Sequence, residues 1–156
     1  MNKINRKVEY ALMALKFLLG RRPGEVTPVK TLCDELGAPF DPMAKVLQSL
    51  SHAGVLKSEK GAQGGYLIIK DLKKVSYFEL NEILMGPVEV IKCLKASSPC
   101  ELMDTCNIQS PLTVLNEKVI GFYKSISLHE ILAPSSKEGL AELNVDRLGE
   151  AAEKWS

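Results

Sequence analysis

The first twenty residues carry apolar side chains with the period of an α-helix. The apolar positions recur every three or four residues, so they share one face of a single helix. They are Ile4, Val8, Ala11, Leu12, Leu15, Leu18 and Leu19. Gly20, Pro23 and Gly24 predict the end of this helix.

Two shorter helical patterns follow, each with its own start signal. In the first, Thr27 is the expected N-cap, Pro28 occupies the first helical position, and Gly37 suits a left-handed C-terminal cap. In the second, Asp41 is the expected N-cap and Pro42 opens the helix. Two short helices joined by a tight turn that contains Gly predict a helix-turn-helix.

A β-hairpin is predicted directly after the second of these helices. Residues 55–58 and 66–69 read as two short strands around the Gly-rich tip 59–65, and the second is rich in β-branched and aromatic residues. A hairpin in this position is the wing of a winged helix-turn-helix, and its glycines would let the backbone approach another surface closely. The predicted fold class is therefore mainly α with a small β-hairpin wing.

The pattern after the wing predicts a long dimerisation helix between two short ones. Ser-x-x-Glu capping boxes at 76–79 and 127–130 mark the starts of the short helices. Residues 88–110 lack periodicity, and Ser110 with the following Pro predicts the start of the long helix. Its apolar residues are three or four positions apart, which is typical of a coiled-coil seam. The seam consists of Leu112, Leu115, Val119, Phe122 and Ile126.

Charge divides the chain near residue 75. Residues 1–75 contain 13 Lys and Arg against 7 Asp and Glu, whereas residues 76–156 contain 7 against 12. A basic segment joined to an acidic one indicates a nucleic-acid-facing part and a part with another role. We therefore predict a DNA-binding domain at 1–75, a cysteine loop and dimerisation helix at 76–133, and an acidic tail, helical or disordered, at 134–156.

Composition argues against a membrane or exported protein. The chain of 156 residues is 46% hydrophobic and 25% charged, which is typical of one globular domain. No apolar run approaches the roughly 20 residues of a membrane span. The basic N-terminus is not followed by the apolar segment of a signal peptide. We therefore expect a cytoplasmic protein without a membrane partner.

Candidate contacts to double-stranded DNA lie on the helix-turn-helix and on the wing. Gln, Lys and Ser can read base edges in the major groove, and Lys or exposed backbone can contact phosphates. The helix-turn-helix candidates are Thr27, Pro39, Phe40, Asp41, Lys45, Gln48 and Ser49. The wing candidates are Lys57, Lys60, Gln63, Gly64, Gly65 and Tyr66. The alternative is that these are solvated polar positions without a partner.

Three of the four cysteines lie close together, at Cys93, Cys100 and Cys106. In a reducing compartment, such a cluster indicates metal binding or redox chemistry. The gaps differ from those of zinc knuckles and ferredoxins, and three thiolates in a loop suit an iron–sulfur cluster. A thiol switch, a zinc site, unoccupied thiols and a small electron carrier remain alternatives. Cys33 lies on the apolar face of its helix and is expected to be a buried structural thiol.

Three cysteines leave one coordination position of a cluster open. The residues alone do not choose its ligand. The candidates are Glu9, Glu101, Asp104, Asn107, His52, His129 and an exogenous ligand.

In combination, these motifs resemble the Rrf2 family of bacterial regulators. The resemblance rests on the wing sequence Gln63-Gly64-Gly65-Tyr66, the three-cysteine loop, the long helix after it and Glu9-Tyr10-Ala11-Leu12 in the first helix. It covers about residues 1–133. It implies a homodimeric transcription factor whose [2Fe-2S] or [4Fe-4S] cluster sets its affinity for a palindromic operator.

The resemblance also implies roles for single residues. Cys93, Cys100 and Cys106 would ligate the cluster, and Glu9 of the partner subunit would complete the ligand set. Gln109 stands where some members of the family use a His ligand. Other members carry no cluster, so a cluster-free regulator that senses a metabolite or thiol oxidation is the alternative.

Overall fold

The computed structural model describes residues 4–61, 64–88, 91, 100–102 and 105–133. Over these residues the predicted order of helices and strands is confirmed, and the fold is mainly α with one two-stranded antiparallel sheet. The elements are α1 (Arg6–Leu19), α2 (Val29–Leu36), α3 (Phe40–His52), β1 (Leu56–Glu59), β2 (Gly65–Ile68), a 3₁₀ turn (Leu72–Lys74), α4 (Tyr77–Met85), α5 (Gln109–Ser125) and α6 (Leu128–Leu132). Gln63, Cys93, Asp104 and the predicted tail 134–156 lie outside the described residues.

Helix α2 begins one residue later than predicted. Its N-cap is Pro28, and the predicted cap, Thr27, belongs to an isolated β-bridge with Tyr66. The Thr27 N–H donates to the Tyr66 carbonyl at 3.0 Å, and the Thr27 carbonyl accepts from the Tyr66 N–H at 2.9 Å. Because both backbone groups of Thr27 are used in this bridge, the helix starts after it. Gly37 takes the predicted left-handed cap, with φ of 60°.

Helix α3 begins earlier than predicted. Its N-cap is Pro39, so Asp41 lies in the first turn instead of capping the helix. Pro42 is accommodated there because the first N–H groups of a helix have no carbonyl partner within it. The earlier start moves Phe40 into the helix.

The wing pairs in one register and is tied to the start of α2. β1 and β2 pair antiparallel, with Leu56 opposite Ile68 and Glu59 opposite Gly65. A Cβ atom on Gly65 would lie 2.2 Å from the Thr27 carbonyl oxygen. Glycine therefore allows a close approach at this position, and the surface approached is the chain's own backbone.

One hydrophobic core joins elements from both sides of residue 75. α1 packs against α3 and α4, and α6 packs against α1 and the 3₁₀ turn. Leu128 and Leu132 of α6 are buried in the same core as Leu15 of α1. Backbone hydrogen bonds of 2.8 Å from the Leu128 N–H to the Val75 carbonyl and 2.9 Å from the Tyr77 N–H to the Ile126 carbonyl join the starts of α4 and α6. Elements from both sides of residue 75 therefore contribute to one core.

Helix α5 lies on the outside of this unit. Its contact with α4 includes an edge-to-face pair of Tyr77 and Tyr123, with ring centroids 5.1 Å apart. Lys124 lies over the ring of Phe78 at 4.7 Å. No side chain of α5 is fully buried in the single chain. Among the described helices, none is both long enough and apolar enough to span a bilayer.

Candidate nucleic-acid interface and cysteine site

Helix α3 presents a polar face to solvent because its apolar face is fixed in the core. Met43, Val46, Leu47 and Leu50 are buried on one side. The predicted DNA contacts Pro39, Phe40, Asp41, Lys45 and Gln48 are exposed at the start of the helix and on its other side. The Ser49 hydroxyl is half-buried and donates to the Lys45 carbonyl at 3.0 Å. The exposed set can reach the edges of bases in a groove, whereas Ser49 is partly occupied within the helix.

Thr27 does not lie on this exposed surface. Its side chain is 2% exposed and its hydroxyl has no hydrogen-bond partner among the described residues. The expectation that Thr27 contacts DNA is corrected, because its side chain is buried and both of its backbone groups bind Tyr66.

The wing offers two exposed cations, one of which is paired. Lys57 and Lys60 are exposed, and the Lys57 ammonium lies 2.7 Å from a Glu59 carboxylate oxygen. Gly64, Gly65 and Tyr66 are half-buried at the tip end of the hairpin, where Gly65 pairs with Glu59. Lys60 is therefore the wing cation that has no ion-pair partner among the described residues.

The structure adds cations from α1 that the sequence reasoning missed. Arg6 and Lys7 lie beside α3, where α1, α3 and the end of α4 enclose a cleft of about 430 Å³. We call this the α1–α3 cleft. It is lined by Arg6, Lys7, Tyr10, Asp41, Pro42, Lys45, Val46, Ser49 and Leu84. The sequence shows only two consecutive cations in the first turn of a helix, and such a pair is usually a polar face exposed to solvent.

Arg6 is held in place by two neighbours on its own helix. Its guanidinium donates to a Glu9 carboxylate oxygen at 2.9 Å and lies 5.9 Å from the centre of the Tyr10 ring. The hydrogen bond and charge of Glu9 raise the pKa of Arg6. Glu9 therefore contacts a residue that lines the α1–α3 cleft.

Two of the three clustered cysteines lie in the described part of the chain. Cys100 and Cys106 are half-buried free thiols, and Cys106 precedes the first residue of α5 by three positions. Over the described ranges, no group of three or more His, Cys, Asp or Glu side chains gathers in one place. Glu101, Asn107, His52 and His129 are exposed. Two accessible thiols outside any disulfide have the donor chemistry that an iron–sulfur cluster requires.

Cys33 differs from these thiols in its surroundings. It is 8% exposed in the core face of α2, as expected from its spacing. Burial raises the pKa of the Cys33 thiol, and the charge of Asp34 adds to this. Cys33 is therefore a structural thiol.

The predicted seam of α5 is largely uncovered in the single chain. Leu115 and Phe122, one heptad apart, are 51% and 61% exposed, and Leu112, Val119 and Ile126 are half-buried beside them. Ile108, one heptad before Leu115, is also exposed. The apolar stripe thus extends from just after Cys106 to the end of the helix.

Comparison with known proteins identifies the family. A family model described as Rrf2, iron-dependent transcriptional regulator, matches residues 4–134. The chain belongs to the Rrf2 family. Because this family and the chain's relatives are transcriptional regulators, the chain is a transcriptional regulator and not an enzyme.

Curated relatives and solved structures agree with this assignment. The repressor NsrR of Streptomyces coelicolor is 27% identical over 133 residues, which cover 84% of this chain and 88% of that protein. The regulator IscR of Photorhabdus laumondii is 26% identical, covering 83% and 79%. The structure of CymR, the global cysteine regulator of B. subtilis, is 20% identical with a TM-score of 0.66, covering 87% of this chain and all of that one. The Rrf2 winged-helix fold is thereby confirmed.

Proposed function

We propose that this Rrf2-family chain is a homodimeric regulator whose affinity for a palindromic DNA operator is set by an iron–sulfur cluster. Cys93, Cys100 and Cys106 would hold the cluster, together with Glu9 of the partner subunit. The observation that carries the proposal is the position of Cys106 directly before the apolar stripe of α5. A cluster that fixes the position of Cys106 would therefore also fix the start of α5, the helix that would join two subunits.

The DNA-binding part of the proposal rests on α3 and the wing. α3 is fixed by four buried apolar residues and exposes Lys45 and Gln48. Lys can bind guanine or phosphate and Gln can pair with adenine. Lys60 on the wing would contact the phosphate backbone beside the groove.

The dimer part rests on the uncovered stripe of α5. Full burial of an apolar side chain contributes about 1.5–3 kcal/mol, so burial of the exposed half of Leu115 or Phe122 would contribute about 1–2 kcal/mol each. In a two-fold dimer both subunits use the same surface, so two copies of each of these side chains are buried. The two α3 helices would then lie at a fixed separation, which must match half-sites about 34 Å apart.

The cluster, when bound, would supply a link between the cysteine loop and the partner subunit that is sensitive to oxidants and nitric oxide. Cys100 and Cys106 would contribute thiolates from the segment before α5, and Cys93 lies outside the described residues. Glu9 would have to exchange or share its contact with Arg6 in order to act as a ligand. Without this link, the distance between the two α3 helices would no longer be fixed.

Anaerobic purification followed by an absorption spectrum and iron and sulfide assays tests the cluster. We expect a coloured protein with equimolar iron and sulfide, and a colourless Cys100→Ser variant with the same fold by circular dichroism. Cys33→Ala is the matched control, which should keep the iron. A Cys100→Ser variant that retains the wild-type spectrum would contradict the proposed ligand set.

Selection from a pool of random 30-bp duplexes tests DNA binding. We expect an enriched palindrome whose affinity falls steeply with salt, since Lys side chains release counterions from phosphates. The affinity of Cys100→Ser for that duplex should differ from the wild-type value. A flat salt response would overturn the DNA-binding part.

A thiol-sensing regulator is the second candidate. It is favoured by the free, half-buried thiols of Cys100 and Cys106 and by the similarity of the fold to CymR. It predicts an iron-free protein whose DNA affinity changes on treatment with diamide, and a Cys100→Ser variant that no longer responds. The iron assay separates the two candidates.

A further inference from the structure

We propose that the α1–α3 cleft binds a small organic anion, a carboxylate or phosphate ester on an apolar body, and that this anion competes with DNA for α3. The binding step does not depend on the proposed function. Only the competition with DNA rests on it.

The size and base of the cleft suit a small molecule. Its volume of about 430 Å³ falls within the range of roughly 300–1,000 Å³ that is typical of ligand pockets. Its apolar base is formed by Tyr10 of α1, Val46 of α3 and Leu84 of α4, of which the last two are almost fully buried. The phosphate backbone of DNA has no apolar group that would fill this part of the cleft. The apolar body of a small organic anion would fill it.

The rim of the cleft selects an anion. Three cations, Arg6, Lys7 and Lys45, line the cleft with one carboxylate, Asp41, and a second carboxylate, Glu9, pairs with Arg6 at 2.9 Å, so the cations remain in excess by one. The Arg6 side chain is 76% exposed, and its guanidinium has further N–H donors besides the one that binds Glu9. A guanidinium of this kind pairs with carboxylate or phosphate oxygens through two parallel hydrogen bonds.

The position of the cleft explains why a bound anion would oppose DNA. Asp41 and Lys45 belong both to its rim and to the exposed face of α3. An anion on Lys45 removes a cation from the DNA surface and adds a negative charge next to it. Both effects weaken the attraction to phosphates.

Phenylacetate and phenyl phosphate are the test ligands, with neutral phenylacetamide as the control. In calorimetric titrations of the full-length protein we expect both anions to bind with Kd on the order of 1 mM, the value for about ten heavy atoms of ordinary efficiency. Phenylacetamide should bind at least tenfold more weakly. Equal binding of phenylacetamide would overturn the anion site, and the two anions together distinguish a carboxylate from a phosphate preference.

Three variants locate the site. Lys45→Gln should weaken phenylacetate binding several-fold, and Ser49→Met should abolish it by filling the cleft. Lys16→Gln, an exposed cation on the last turn of α1, is the matched control and should bind as the wild type does. Thermal melts identify any variant that fails to fold, in which case Lys45→Gln alone decides. Unchanged binding in Lys45→Gln, or an equal loss in Lys16→Gln, would contradict the assignment.

Competition with the selected duplex tests the link to DNA, at ionic strength matched with sodium chloride. At ten times its Kd, phenylacetate should raise the apparent Kd for DNA about elevenfold. Anion binding without this change would contradict the competition but leave the site. Absence of DNA binding altogether would contradict the proposed function and leave the anion site standing. Binding of phenylacetate only to a monomeric Phe122→Asp variant would show that a second subunit covers the cleft, and would overturn the site in the dimer.

Discussion

Gly65 joins the wing to the helix-turn-helix at the scale of a single residue. Its backbone lies against the Thr27–Pro28 peptide, and a Cβ atom would approach the Thr27 carbonyl carbon and oxygen to 2.4 and 2.2 Å. Both contacts are with backbone, so no flexible side chain can move aside. Any side chain at residue 65 must therefore displace the wing from α2.

Replacing Gly65 with Ala tests this contact. We expect the free energy of unfolding to fall by about 1–3 kcal/mol, the usual range for overpacking. Gly121→Ala is the matched control, because Gly121 lies inside α5 with open space around its Cβ position. Gly121→Ala should raise the free energy of unfolding by about 0.5–1 kcal/mol, because Ala has a higher helix propensity than Gly. Urea denaturation measures both, and equal effects would contradict the steric argument.

The thiols should differ in reactivity with pH. Burial of Cys33 raises its pKa, so the reactive thiolate forms only at higher pH than in an ordinary thiol. In the apo protein we expect iodoacetamide at pH 7.5 to modify the half-buried Cys100 and Cys106 while Cys33 stays unmodified until urea is added. Peptide mass spectrometry after a timed pulse measures this. Early modification of Cys33 in the native protein would show that α2 opens locally.

At the scale of elements, the N-cap serines of the two predicted capping boxes were reliable local signals, whereas the Glu79 carboxylate binds Lys70 instead of the N-cap. The Ser76 hydroxyl accepts from the Glu79 N–H at 3.1 Å, and the Ser127 hydroxyl accepts from the Glu130 N–H at 3.2 Å, as predicted. These hydrogen bonds involve residues three positions apart, so the sequence contains all the information they need. The start of α2 was predicted too early because the bridge between Thr27 and Tyr66 joins residues that are distant in sequence. The start of α3 was predicted too late because Pro42 is tolerated anywhere in the first turn and not only at the first position.

The candidate site divides in the same way. The exposed face of α3 follows from helical periodicity, so Lys45 and Gln48 could be predicted. The α1–α3 cleft could not be predicted, because its walls come from three helices and no local sequence pattern indicates how these helices pack. Arg6 and Lys7 line this cleft only because α1 packs beside α3.

Removing the first capping box should destabilise the whole unit. Ser76→Ala is expected to lower the free energy of unfolding by about 1 kcal/mol, because the Glu79 N–H loses its partner. Ser76→Asn, which restores a good N-cap, should recover most of the loss. Thermal unfolding followed by circular dichroism compares the two variants. A Ser76→Asn variant as unstable as Ser76→Ala would show that the loss of stability does not come from the missing cap.

At the scale of the molecule, the two halves differ in charge and share one core. The excess of cations in residues 1–75 covers α1, the helix-turn-helix and the wing, which form the proposed DNA surface. The acidic half contributes α4 and α6 to the core and α5 to the outside. A movement of α5 can therefore reach α3 through α4, which contacts both.

The last prediction concerns the stripe on α5. Phe122→Asp places a charge on the apolar seam, and we expect it to convert a dimer to a monomer and to weaken binding of the selected duplex at least tenfold, since one subunit reads only one half-site. Val114→Asp is the matched control: it lies on the same helix with similar exposure, 49%, but outside the seam. Sedimentation velocity gives the oligomeric state, and anisotropy gives the affinity. A dimeric Phe122→Asp protein, or a monomeric Val114→Asp protein, would show that the subunits meet through another face of α5.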